Sequence, residues 1–123
     1  MEIERSIDIE DAVRIALAGH LTVYCRPLPA SYGLPHILVT QVGGSDTNKI
    51  DTFQVTLDAR AETEAEALEY LRNAIGILKK GSGEIRYARV NSSGSWGVDP
   101  VRPDLAMCSA RLEIVAHLET TTI

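Results

Sequence analysis

The stretch from Thr52 to Ala59 constrains the fold more than any other. Phe53, Val55, Leu57 and Ala59 alternate there with Thr52, Gln54, Thr56 and Asp58. A period of two puts the apolar set on one face of a strand and the polar set on the other. This predicts an antiparallel strand with one face on a core and the other toward water, a channel or a partner. A second run repeats the logic. Cys108, Ala110, Leu112, Ile114, Ala116 and Leu118 alternate with Ser109, Arg111, Glu113, Val115 and His117.

Two helices are legible that can cover these strands. Thr63-x-x-Glu66 is a capping box, in which each end of the motif satisfies a free amide. Leu68, Leu71, Ile75 and Leu78 follow as the expected core stripe, with Lys79 and Lys80 in the last turn and Gly81 as the stop. Near the start, Ile9, Val13, Ala16 and Leu17 share one helical face, with Asp8 as N-cap and Gly19 as the expected stop. Leu21 to Cys25 reads as a short strand ended by Arg26-Pro27-Leu28-Pro29, and residues 30–35 as a loop. His36 to Val42 has the near-continuous apolar character of a strand covered on both faces, and Ile85 to Val90 reads as a further strand. Gly43 to Ile50 and Asn91 to Asp104 read as long polar loops, and Thr120 to Ile123 as a frayed tail. The order α-β-β-β-α-β-β predicts a single α+β domain over residues 1–123, a mainly antiparallel sheet with two helices on it.

Composition narrows the function. With 12 Lys and Arg against 17 Asp and Glu, the formal charge is −5, which argues against a domain that coats nucleic acid. The 45% hydrophobic and 24% charged fractions are those of a globular domain. No apolar run approaches the roughly 18–20 residues of a membrane span, and Met1-Glu2-Ile3-Glu4 is unlike a signal peptide, so folding in a cytoplasm is expected.

Chemical motifs are sparse. Gly43-Gly44-Ser45 with Lys49 lacks the spacing and the strand-to-helix context of a phosphate loop and reads as a hairpin. His20, His36 and His117 have no metal-ligand companions at the right spacing, and Cys25 and Cys108 read as small buried thiols. No nucleophile elbow is present, and Asn91-Ser92-Ser93 carries no meaning without a secretory signal. The expectation is therefore no catalytic, cofactor-binding or metal residue. Trp96 stands apart as the one Trp, in a Ser/Gly-rich stretch that no core periodicity explains. It either folds back over an end of the sheet or anchors another subunit, since Trp is enriched at interface hot spots.

Leu34-Pro35-His36-Ile37-Leu38-Val39 and Val42-Gly43-Gly44 lie between a Pro-containing loop and the strand Asp51 to Ala59. The helix start Ala61-Glu62-Thr63-Glu64-Ala65-Glu66-Ala67 and a long last strand, Ala106 to Leu118, complete the pattern. Over nearly its full length this resembles the tail terminator (tail completion) family of long-tailed bacteriophages. The resemblance implies a phage or prophage structural protein, a minor tail protein rather than an enzyme. Its members form hexameric rings that cap the finished tail tube and offer a surface to the head connector. Implied partners are further copies of the chain, the tail tube protein and head connector proteins. No cofactor, no membrane and no sequence-specific nucleic acid are implied. The place of work would be the host cytoplasm during virion assembly and then the virion tail. Interface residues are expected in the two polar stretches: Gly43, Gly44, Asp46 and Lys49 in one, and Trp96, Asp99 and Arg102 in the other. The polar face of Thr52, Gln54, Thr56 and Asp58 is a candidate ring lining past which DNA slides. Competing readings are another head–tail joining protein, a small protein-interaction adaptor, or a ligand-binding domain.

Overall fold

The alternation of the Thr52–Ala59 run governs the middle of the molecule. A computed structural model describes residues 1–46 and 50–123. Along the chain it forms β1 (Glu2–Arg5), α1 (Ile9–Leu17), β2 (Val23–Cys25), β3 (His36–Asp46) and β4 (Ile50–Ala61). There follow α2 (Glu64–Lys80), β5 (Ile85–Val98), β6 (Ala106–His117) and β7 (Glu119–Thr122). The fold is α+β, and the predicted element order holds between the two terminal strands. Phe53, Val55, Leu57 and Ala59 of β4 are buried together with Cys108, Ala110, Leu112 and Ile114 of β6. The five-stranded sheet has the order β2-β3-β4-β6-β5 and is antiparallel except where β2 runs parallel to β3.

Both helices bury one stripe against this sheet. In α1 these are Ile9, Val13 and Leu17, and the Asp8 carboxylate caps the helix by accepting from the Asp11 N–H. The helix ends at Ala18, so Gly19 does not serve as its stop. In α2 the Thr63 hydroxyl accepts from the Glu66 N–H, which is one of the two bonds of the expected capping box. The buried stripe of α2 is Ala67, Leu71, Ala74 and Leu78, whereas Leu68 is exposed and Ile75 only partly covered. The expected stripe was thus rotated. It counted large residues only, while the sheet takes the small Ala67 and Ala74 and so lets the helix approach closely. Gly81 does end α2 at φ 75°, and a Cβ there would lie 2.9 Å from the Arg86 carbonyl oxygen. Among the described residues no helix is long and apolar enough to cross a membrane.

Several expected loops are strands. β3 continues through Gly43 and Gly44 to Asp46, paired with Asp51 to Gln54, and β5 continues through Trp96 to Val98, paired with β6. Alternation is lost in both because extra residues shift the side-chain phase, between Gln41 and Gly43 on β3 and at three places on β5. Cover on both faces of β3 holds only at its start, where His36 and Ile37 are both buried, and Val42 is exposed. The segment 120–123 is not frayed: β7 pairs with β1, Arg5 holds Glu119 at 2.8 Å, and the backbones of Met1 and Ile123 are bonded to each other. Four-residue polar strands carry no hydrophobic period, which is why this pair was not foreseen.

Gly44 is a point of close approach in the β3–β4 pairing. A Cβ there would lie 2.7 Å from the Thr52 carbonyl oxygen. Gly44→Ala is expected to cost about 1–3 kcal/mol by overpacking and to lower Tm by several degrees. Gly19→Ala, where a Cβ would meet nothing within 4 Å, is expected to leave the melting curve unchanged.

Candidate interaction surface

A sheet edge is a row of unpaired backbone donors and acceptors, and this sheet has two long ones. β5 forms one edge over its 14 residues. On the other side β2 pairs only with Ile37 to Val39, which leaves β3 without a neighbouring strand from Thr40 onward, although the Gln41 N–H donates to the Glu10 carboxylate at 2.9 Å. Trp96 lies on the β5 edge opposite Cys108, with 49% of its surface exposed, and Val98 and Val101 beyond it are still more exposed. Trp96 is therefore on an edge strand rather than in a loop, and it does not fill the core. A surface cleft of ≈ 470 Å³ adjoins it, bounded by Glu62 before α2, Glu64 at the start of that helix, and Pro103, Leu105 and Met107.

The other expected interface residues divide. Gly43 and Gly44 sit on the open part of β3, and Asp46 ends that strand opposite Asp51. Lys49 lies outside the described residues. Arg102 is at the surface, bonded to Asp104 by its Nε and Nη2 at 3.0 and 2.8 Å. Asp99 is turned inward instead, only 5% exposed. Its carboxylate accepts from Arg60 Nε at 2.7 Å and from the backbone N–H groups of Val101 and Arg102 at 2.9 and 3.2 Å. Its carboxylate thus holds the following segment in place and is not presented at the surface.

That carboxylate belongs to a buried polar knot with no signature in the sequence. His36 and Arg60 face each other in the β3–β4 register, and both are buried. His36 Nδ1 lies 2.9 Å from the Gly33 carbonyl, so it carries the proton and donates. Tyr24 and Tyr32 meet the imidazole edge-on with centroids 5.2 and 4.8 Å away. His36 Nε2 and Arg60 Nη1 are buried without a hydrogen-bond partner among the described residues. The knot pins the chain before β3 and the Asp99–Leu105 segment to one end of the sheet. Only the register brings residues 36, 60 and 99 together, so no spacing rule could have found them.

Electrostatics follow from burial. Desolvation pushes the His36 pKa below its ordinary 6.5, and the Arg60 charge acts the same way, against the opposing pull of the Gly33 carbonyl and Asp99. For Asp99 burial works to raise the pKa. The two backbone donors and the Arg60 guanidinium outweigh it and hold the carboxyl below its ordinary 3.8. Elsewhere the outer face of the sheet is bonded laterally: Arg89 to Glu113, Asn91 to Gln54, and Ser109 to Asp58. Cys108 is buried as expected but Cys25 is only half-buried, its Sγ 3.4 Å from the Glu10 carbonyl. Burial raises the pKa of both thiols. Among the described residues no group of three or more His, Cys, Asp or Glu is placed to hold a metal ion.

Two measurements check the knot. Asp99→Ala leaves a buried guanidinium unpaired and is expected to cost about 3–5 kcal/mol, much of it recovered in Arg60→Met with Asp99→Leu. Both shifted groups have folded values below their unfolded ones, so both add stability at higher pH that acid removes. The loss is expected to begin as pH falls through 6.5, where unfolded His36 takes a proton, and to deepen as it falls below 3.8. Thermal melts of His36→Asn across pH 7 to 5 are expected to lack the first decline.

No protein-family model matches this chain, and no curated protein matches it significantly.

Proposed function

We propose that this chain is the subunit of a closed ring that caps a phage tail tube and joins it to the head connector. The observation that carries this reading is the two stretches of strand edge left without a neighbour on opposite sides of one sheet, the later part of β3 and the end of β5, with a half-exposed Trp96 on the second. Different patches on the two sides of a subunit make heterologous contacts, which close into a ring when the rotation between copies allows it. In this reading Trp96 and the Asp99–Leu105 segment of one copy meet the open half of β3, with Gly43, Gly44 and Asp46, on the next. The laterally bonded polar face of Thr52, Gln54, Thr56 and Asp58 lines the ring, where an acidic protein offers DNA little to hold. The role needs no catalytic group, and the work is done by surfaces. The resemblance in sequence pattern to tail terminator proteins supports the same reading.

The test is the mass of the purified chain by light scattering, alone and with isolated tail tubes, together with images of tube ends. Rings alone or on tube ends are the expected result. A chain that stays monomeric and leaves tubes uncapped overturns the proposal in favour of a small adaptor. Binding to connector but not to tubes would move the assignment to another head–tail joining protein. Trp96→Ala is expected to keep the melting temperature within a few degrees and to weaken assembly by about 2 kcal/mol or more. Early melting with normal assembly would show that Trp96 serves the fold instead.

A further inference from the structure

Asp51 is the one buried carboxylate whose two oxygens both lack a hydrogen-bond partner among the described residues. It is 2% exposed and shares the core face of β4 with Phe53. It also lines a surface cleft of ≈ 390 Å³, formed where Ser6 and Ile7 pass over the ends of β3 and β4. The other polar groups of the cleft are neutral: Ser6, Gln41, Ser45 and Thr52. Gly44 lies opposite Phe53, and a Cβ there would lie 2.7 Å from the Thr52 carbonyl oxygen, so no side chain at position 44 fills the space.

A carboxylate taken out of water without a partner is costly, and a cation that reaches it recovers the loss. Elsewhere in this fold buried carboxylates are paired: Asp99 with Arg60, and the largely covered Glu10 with Arg26 at 2.8 Å. We infer that the Asp51 cleft is a binding site for a cationic nitrogen head group, an alkylammonium or a guanidinium. A single carboxylate among hydroxyl and amide oxygens suits an N–H donor. A divalent metal asks for several charged ligands, and no such set is present among the described residues. The inference goes beyond the assembly reading and does not depend on it, because the site lies within one copy of the chain.

The experiment is an NMR titration of the isolated chain with propylammonium and with propylguanidinium, using propionamide as the neutral control. Saturable shifts at Ser6, Ser45 and Asp51 with a Kd of about 1 mM are expected. Asp51→Asn is expected to weaken binding at least about tenfold while melting no earlier than the parent. Asp51→Ser serves as a second variant, and Lys49→Ala removes the nearest lysine in the sequence as an internal competitor. N-acetyl-lysine methylamide against 1,5-diaminopentane then separates a protein side chain from a free polyamine as the source. No saturable shift up to about 100 mM in either the parent or Lys49→Ala, equal response to propionamide, or undiminished binding by a folded Asp51 variant would overturn the proposal. Because the readout is the free chain, failure here leaves ring formation untouched, and failure to form rings leaves this site standing.

Discussion

The pairing of β4 with β6 is the constraint on which the rest of the structure depends. All 12 residues of β4 lie opposite a residue of β6 in an unbroken register. Both strands present an apolar face to the core, so a slip of one residue would turn either set outward. Every extra residue in the sheet falls instead on β3 or β5. The middle is fixed by core packing. Irregularity is confined to strands that have water or a partner on one side.

The ends of this central pair are finished by different chemistry. At one end the Arg60–Asp99 ion pair and the neutral His36 hold the flanking segments. At the other, Ser6 and Ile7 cross above Phe53 and Asp51, and the β1–β7 pair clasps the chain ends beside them. Neither end is apolar enough to be held by the hydrophobic effect alone. The first end pairs its two opposite charges with each other, although Arg60 Nη1 and His36 Nε2 lack a hydrogen-bond partner among the described residues. The second keeps one buried carboxylate unpartnered among the described residues. That asymmetry separates a structural polar site from one with capacity to bind.

What the sequence disclosed follows the range of each signal. Strong periods and caps were legible: the β4 and β6 alternation, the Asp8 and Thr63 caps and the Gly81 stop all recur in the structure. Boundaries failed where a period is interrupted. The Asn91–Val98 segment looks like a Ser/Gly loop because bulges scramble its phase, yet β6 supplies it a continuous ladder. The α2 stripe was misplaced because Ala67 and Ala74 carry little hydrophobic weight in sequence and much in packing. The candidate surface was legible in part, since Trp96 has no core period and is half-exposed. Asp99 was misread as outward because its partner, Arg60, is 39 residues away and reaches it only through tertiary structure. Asp51 was invisible for a related reason. A carboxylate at a strand end looks solvated in sequence, whereas Asp51 is 2% exposed in the fold.

The edges carry a tension that bears on assembly. A 14-residue edge strand is a template for indiscriminate pairing, and proteins blunt such edges with bulges, charges or cover. β5 has three irregularities, a Gly94 at φ 78°, and exposed Arg86 and Arg89, so a generic flat strand cannot dock along its length. Its last residues, from Ser95 to Val98, pair regularly with β6 and carry the exposed Trp96 and Val98. Bulges twist the strand locally, so the regular end faces a direction that the rest of the edge does not share. The edge is thus closed to most strands and open over about one short segment. Selective contact with a single partner geometry requires that combination, and a strand protected along its whole length would forbid it.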